Sequence, residues 1–131
     1  MQPIANKNKT MYKMKRTEHQ EQCTVFQWAR LMAGKHPELD MLFAIPNGGA
    51  RHVVVGRKLK AEGVRAGVPD ICLPVPRDPY NGLFIELKTE SGRATSLQTE
   101  WLDKLRQNGF CATVCRGADD AIGMIRAYLG I

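Results

Sequence analysis

Apolar residues near the start of the chain recur with the period of an α-helix. Thr17 and Gln20 have the T-x-x-Q spacing of a capping box, in which each residue satisfies a backbone N–H of the other. Apolar positions then follow at helical spacing, at Val25, Ala29 and Met32. A glycine and a proline shortly afterwards favour the end of the helix. We therefore predict a first helix that begins at Thr17.

Short apolar runs bounded by turn-forming residues indicate four strands. We predict them over residues 41–45, 70–75, 83–88 and 110–115. Further helices are predicted over residues 52–62, 95–108 and 118–129, and the second of these has capping-box spacing at Thr95 and Gln98. The turn-rich segment 76–82 should join the second and third strands as a hairpin. The predicted order is α-β-α-β-β-α-β-α.

This order predicts the fold class. Strands that are joined both by a hairpin and by helical crossovers form a mixed sheet, and the intervening helices cover its faces. We therefore expect an α/β fold with a mixed four-stranded sheet flanked by helices. The length of 131 residues and the hydrophobic content of 44% suit one such domain, which we assign to residues 17–131.

Residues 1–16 precede this domain and are polar and basic. Their basic residues are Lys7, Lys9, Lys13, Lys15 and Arg16. We expect a flexible arm, which is either a solvated tail or a segment that contacts phosphates. The net charge of +6 favours anionic partners such as nucleic acid or an acidic membrane surface. Because the sequence contains neither a signal-peptide core nor an apolar run that could span a bilayer, we expect a soluble, intracellular protein.

The predicted third strand carries unusual chemistry. Strand alternation places its three aliphatic residues on one face and Phe84, Glu86 and Lys88 on the other. Burying a charged group is costly unless the group is paired or holds a metal. An isolated E-x-K would most simply be an ion pair at a sheet edge. The four cysteines form no C-x-x-C pair, so a zinc site is poorly supported.

The preceding strand adds a second carboxylate. Asp70 follows Pro69 at the start of that strand, and hairpin pairing could place it beside Glu86. Two adjacent carboxylates repel each other unless a cation lies between them, and Mg²⁺ prefers oxygen ligands. A bound divalent ion can lower the pKa of a water molecule and offset charge on a phosphate, while a neighbouring lysine stabilises the transition state. These residues therefore predict a site for a divalent cation beside a lysine.

The same residues form part of an ordered set of motifs. Pro69-Asp70, fifteen intervening residues and Glu86-Leu87-Lys88 match the PD-(D/E)xK pattern of metal-dependent nucleases. The set also includes Glu18, Pro46-Asn47-Gly48-Gly49, Gly67-Val68-Pro69-Asp70, Gly82 to Lys88 and Ser96-Leu97-Gln98. Over about residues 17–129, this arrangement resembles the VRR-NUC branch of the superfamily in its small, stand-alone form.

The resemblance implies a restriction-endonuclease-like core that hydrolyses phosphodiester bonds with Mg²⁺ or Mn²⁺, leaving a 5′-phosphate and a 3′-hydroxyl. It implies that Asp70, Glu86 and the backbone carbonyl of Leu87 bind the metal and that Lys88 acts on the attacking water. It also implies catalytic roles for Glu18 and Gln98.

The resemblance further implies a substrate and an assembly. Stand-alone members resemble Holliday-junction resolvases, so we expect a homodimer that cleaves branched DNA, with four-way junctions favoured and flap or nicking activity as the alternative. A bacterial cytoplasmic location, with a phage or prophage gene as one origin, is the corresponding expectation. A catalytically inactive DNA-binding module and a subunit-interface protein are the competing functional classes.

The sequence leaves two interpretations open for several residues. Glu18 and Glu21 share one stripe of the first helix, so periodicity does not decide which of them is the helical carboxylate of the site. Gln98 is either a capping residue, a site residue or both. The candidate DNA contacts, which could equally be turn or solvated residues, are Asn47, Gly48, Gly49, Arg51 and Arg93.

Overall fold

The elements of the fold are taken from a computed structural model that describes residues 15–46 and 53–131. The α-helices in these ranges are α1 (Glu18–Met32), α2 (Val53–Ala61), α3 (Ser96–Gln107) and α4 (Gly117–Leu129), and a 3₁₀ helix, Pro37–Met41, follows α1. The strands are β1 (Phe43–Ala44), β2 (Ile71–Leu73), β3 (Leu83–Lys88) and β4 (Cys111–Arg116). None of the helices in the described ranges is long and apolar enough to cross a membrane.

The four strands form one mixed sheet in the order β1-β2-β3-β4. The pairs β1–β2 and β2–β3 are antiparallel, and β3–β4 is parallel. A parallel pair requires a crossover, which α3 supplies, whereas the antiparallel pair β2–β3 closes through the predicted hairpin. The predicted fold class and the predicted order of elements are both confirmed.

The extent of the first strand was predicted wrongly. We predicted a buried strand over residues 41–45, but Met41 ends the 3₁₀ helix and β1 contains two residues only. β1 is an edge strand, so its side chains have one neighbouring strand, and Phe43 remains 46% exposed. The second predicted strand, 70–75, is also shorter, because a proline at position 74 cannot donate a ladder hydrogen bond.

Both predicted capping boxes are confirmed. The Thr17 hydroxyl accepts from the Gln20 N–H at 3.1 Å and begins α1. The Thr95 hydroxyl accepts from the Gln98 N–H at 3.2 Å and begins α3. In each box the glutamine side chain also accepts from the backbone N–H of the threonine. These local bonds fix where the two helices begin.

Helices cover both faces of the sheet. The face formed by the aliphatic side chains of β3 packs against α1 and α4, through core residues that include Val25, Ala29, Ala121 and Ile125. The crossover helix α3 packs against β4 and contacts Glu86, which points away from that core. Glu86 of β3 therefore lies beside the first turn of α3 rather than at an open edge.

Gly67 allows the loop before β2 to approach the start of α3. Its φ of +87° lies in the left-handed region, which favours glycine. A Cβ built there would lie 2.7 Å from the Leu97 Cγ and 3.1 Å from the Leu97 carbonyl oxygen. In the same region the Arg65 guanidinium lies 5.7 Å from the centre of the Trp101 ring. This loop leads directly into Asp70, so the close approach helps to place that residue.

Gly67→Ala should lower the free energy of unfolding by about 1–2 kcal/mol, because an L-residue is strained in the left-handed region. Gly123→Ala is the matched control, since Gly123 lies within α4 and has nothing within 4 Å of a built Cβ. That control should be neutral or more stable by about 0.5–1 kcal/mol. Urea denaturation measures both changes. An unaltered midpoint for Gly67→Ala would contradict the described loop conformation.

Candidate active site

Two carboxyl groups face each other across β2 and β3. Ile71 pairs with Ile85, so the next position along the ladder places Asp70 opposite Glu86 on the α3 side of the sheet. The Leu87 N–H donates to the Asp70 Oδ2 at 2.8 Å, which fixes the aspartate against the backbone of β3. The hairpin therefore places Asp70 beside Glu86, as the sequence predicted.

Glu86 is the most buried polar residue of this neighbourhood, with 1% of its surface exposed. Its Oε1 accepts from the Gln98 Nε2 at 3.0 Å and lies 3.6 Å from the Lys88 Nζ. Its Oε2 is buried and has no hydrogen-bond donor within the described ranges. An unsatisfied buried carboxylate oxygen is costly, so this atom calls for a proton or a cation.

The environment of Glu86 favours its neutral form. Burial raises the pKa of its carboxyl group to about 8, with further upward contributions from the negative charge of Asp70 and a hydrogen bond to Asp70, while Lys88 lowers it. Because Lys88 offsets only part of the effect, Glu86 retains a proton near neutral pH unless a cation takes its place.

The donor set suits a hard divalent ion. Within residues 15–46 and 53–131, no three His, Cys, Asp or Glu side chains come together as a metal cluster. The carboxylates of Asp70 and Glu86 could supply side-chain ligands to such an ion, and backbone carbonyl groups and water could complete the shell. Mg²⁺ and Mn²⁺ accept such an all-oxygen set, whereas structural zinc sites need four protein ligands.

Lys88 connects the acids of the sheet with α1. Its Nζ lies 3.6 Å from the Glu86 Oε1 and 4.0 Å from the Glu18 Oε1, and the residue is 9% exposed. Glu18 is the first residue of α1, half exposed at the rim of the site. The structure therefore brings together five predicted site residues: Glu18, Asp70, Glu86, Lys88 and Gln98.

The two acids at the start of α1 point to different partners. The Ala118 N–H donates to the Glu21 Oε2 at 2.6 Å, which caps the start of α4. The Glu21 Oε1 lies 3.4 Å from the Arg16 Nε. Glu18, by contrast, contacts Lys88. The geometry thus favours Glu18 over Glu21 as the helical carboxylate, and it places Arg16 of the predicted arm against α1.

Gln98 makes both the capping contact and the contact with the site. Its Oε1 accepts from the Thr95 N–H at 2.8 Å in the capping box, and its Nε2 donates to Glu86. One amide side chain therefore fixes the start of α3 and orients a site carboxylate. The capping interpretation is confirmed, and the catalytic role stays a prediction.

The candidate DNA contacts lie mostly beyond the described ranges. Asn47, Gly48, Gly49 and Arg51 are outside them, and Arg93 is exposed in the loop between β3 and α3. Their proposed contacts with nucleic acid therefore stay predictions.

Arg116 has a role that was not predicted from the sequence. This residue pairs in register with Lys88, and its Nη1 donates to the carbonyl oxygens of Thr89, Glu90 and Gly92. One guanidinium group thus holds the loop that directly follows Lys88. The available signal was an arginine at the end of a parallel strand, but the predicted strand ended at residue 115, one position earlier.

Comparison with known proteins gives the family. The model of the VRR-NUC domain matches residues 6–119. This chain belongs to the VRR-NUC family. A solved structure described as a VRR_NUC domain protein is 32% identical, with a TM-score of 0.76, and the match covers 88% of this chain and 89% of that one. No curated protein matches the chain. The VRR-NUC domain identifies a nuclease-family protein, and the fold is consistent with a PD-(D/E)xK core.

Glu86 should make the stability of the metal-free protein depend on pH. Between its ordinary pKa of 4.5 and its folded pKa of about 8, the folded state holds a proton that the unfolded chain has lost. The free energy of unfolding should therefore fall as pH rises through this range and level off above it. Glu86→Gln should reduce that fall in urea denaturation with EDTA.

Glu100→Gln is the matched control, because Glu100 lies on α3 with its side chain 58% exposed. This control should keep the pH profile of the wild-type protein. If the Glu86→Gln profile also coincided with that of the wild type, the protonation assigned to Glu86 would be wrong.

Proposed function

We propose that this VRR-NUC protein is a Mg²⁺- or Mn²⁺-dependent endonuclease that hydrolyses phosphodiester bonds in branched DNA. The observation that carries the proposal is the buried Glu86 Oε2, which has no donor in the described part of the chain and belongs to a carboxyl group beside Asp70. This arrangement is costly unless the oxygen holds a proton or a cation. A divalent-cation site makes use of it, because the cation supplies the missing partner.

Each residue of the site has a distinct task in this proposal. Asp70, Glu86 and the carbonyl group of Leu87 would hold the metal, which when bound supplies an activated water and offsets charge on the scissile phosphate. The Leu87 N–H orients Asp70, and the Gln98 amide orients Glu86. These bonds preorganise the two ligands before any substrate binds.

Lys88 is placed to act on the reacting groups. Most of its side chain is buried, so its ammonium group has little freedom and lies next to the Glu86 carboxyl. From there it would orient the attacking water and stabilise negative charge on the phosphate. Glu18, at the edge of α1, limits the position of the ammonium group from the other side.

Charge and family resemblance together favour branched DNA as the substrate. The net charge of +6 favours a polyanion. The resemblance to resolvase-like, stand-alone family members supports a homodimer that cleaves four-way junctions, since two sites related by a two-fold axis suit such a substrate. Flap cleavage or nicking is the alternative, and a role in recombination or repair of bacterial or phage DNA follows from either.

A cleavage assay should compare labelled four-way junctions, flaps, single strands and linear duplex, each with Mg²⁺, Mn²⁺ or EDTA. We expect paired, symmetric cuts in junctions that EDTA abolishes. Lys88→Ala should lower the rate by about a hundredfold or more, because it removes transition-state stabilisation. Lys104→Ala is the control, since that lysine is 62% exposed on α3 and should leave the rate unchanged.

The other outcomes separate the alternatives. Metal-dependent cutting of flaps or single strands would keep the chemistry and overturn the preferred substrate. Binding that weakens with salt, without metal-dependent cutting of any substrate, would contradict the nuclease proposal and favour a DNA-binding module.

A further inference from the structure

A groove of about 830 Å³ runs along α1 and opens at the candidate active site. Glu18 and Asp70 line the end of the groove at the site, and Ala44, Ile45 and Pro46 line the side opposite α1. Along α1 the lining side chains include His19, Gln22, Phe26, Gln27 and Arg30. The groove is therefore continuous with the site but extends well past its acidic residues.

The acidic residues of the groove all lie at its active-site end. Glu18 and Asp70 are its acidic lining residues, and both belong to the end at the active site. The remaining lining residues are neutral apart from Arg30 and the titratable His19. A polyanion can therefore occupy the groove without meeting carboxylates until it reaches the end where a metal would offset them.

The side chains of the groove suit bases as well as phosphates. Phe26 is half buried and packs against the core, so its ring is a fixed surface. Gln22 and Gln27 offer amides that can bond to the edges of bases. Proteins that bind unpaired strands combine aromatic stacking surfaces with basic side chains, and Phe26 and Arg30 supply one of each here. An intact duplex hides its base faces, so it could not use Phe26.

The length of the groove fits a short strand. Glu18 and Arg30 stand at opposite ends of its α1 side, and twelve residues of helix span about 18 Å at about 1.5 Å per residue. Stacked nucleotides lie roughly 3.4 Å apart along a strand, so several of them can contact this helix face.

We propose that the groove along α1 binds the unpaired DNA strand that adjoins the scissile phosphate, with Phe26 stacking on a base and Arg30 contacting a phosphate. The proposal rests on the nuclease function proposed above. It requires that the nucleotides beside the cleavage site are unpaired in the bound DNA, as they are in a flap and as they would be in a four-way junction opened at its branch point.

Strand binding without cleavage tests this groove directly. A short labelled oligothymidylate is titrated with the protein in EDTA over a series of salt concentrations. Arg30→Ala should reduce the magnitude of the slope of log K against log salt by about 0.7, the value for one phosphate contact on a single strand. Phe26→Leu, which keeps an apolar side chain against the core, should weaken binding at least about fivefold through lost stacking.

Arg126→Ala is the matched control, because Arg126 is exposed in the last turn of α4 and does not line the groove. We expect it to match the wild type in both affinity and salt slope. A linear duplex of the same sequence should bind more weakly than the single strand, and Phe26→Leu should leave duplex binding unchanged.

Cys23 gives a second readout that needs no substitution. It is exposed and lines the groove, whereas Cys72 and Cys115 are buried and Cys111 is partly buried. Burial raises the pKa of Cys72 to about 11 and that of Cys115 to about 12, so these thiols react slowly. The oligothymidylate should therefore slow the alkylation of Cys23 by a maleimide, measured by mass spectrometry of the labelled peptide.

The groove proposal is overturned if Arg30→Ala and Phe26→Leu both bind the strand as Arg126→Ala does, or if the bound strand leaves Cys23 as reactive as before. These results are independent of catalysis. A wild-type protein that binds the strand through the groove but cuts no substrate with Mg²⁺ or Mn²⁺ would contradict the nuclease proposal alone.

Discussion

Burial of Glu86 beside Asp70 is the constraint on which the rest of the site depends. Two neighbouring carboxylates repel each other, and burial deprives the Glu86 carboxylate of favourable hydration. One lysine, Lys88, offsets part of this cost, but the pKa of Glu86 still rises to about 8. The arrangement is stable with a proton on Glu86 or with a cation between the acids, so metal binding and proton release become linked events.

Much of the surrounding fold serves to hold this pair in place. The antiparallel register of β2 and β3 sets the two acids opposite each other. The left-handed conformation of Gly67 lets α3 approach, and Gln98 then reaches Glu86 from the first turn of that helix. Arg116 holds the loop after Lys88. Elements from both sides of the sheet thus restrict a few side chains, as a preorganised site requires.

The parts of this arrangement that depend on neighbours in sequence could be predicted. The two capping boxes and the alternation in β3 need only local spacing, and the hairpin needs only the turn residues between its strands. Features that depend on tertiary contacts could not. The choice between Glu18 and Glu21 depends on where α4 packs. The exposure of β1 depends on its position at the edge of the sheet. The groove along α1 depends on how α1 and the segment that begins at β1 lie relative to each other.

The linkage between metal and proton offers the most direct test of the central claim. Calorimetric titration with Mn²⁺, in buffers of different ionisation enthalpy, counts the protons that binding releases. With a Glu86 pKa of about 8, binding should release close to one proton at about pH 7 and close to none at about pH 9, and Asp70→Asn should remove the binding. Mn²⁺ binding that releases no proton at either pH, or that survives Asp70→Asn, would contradict the account.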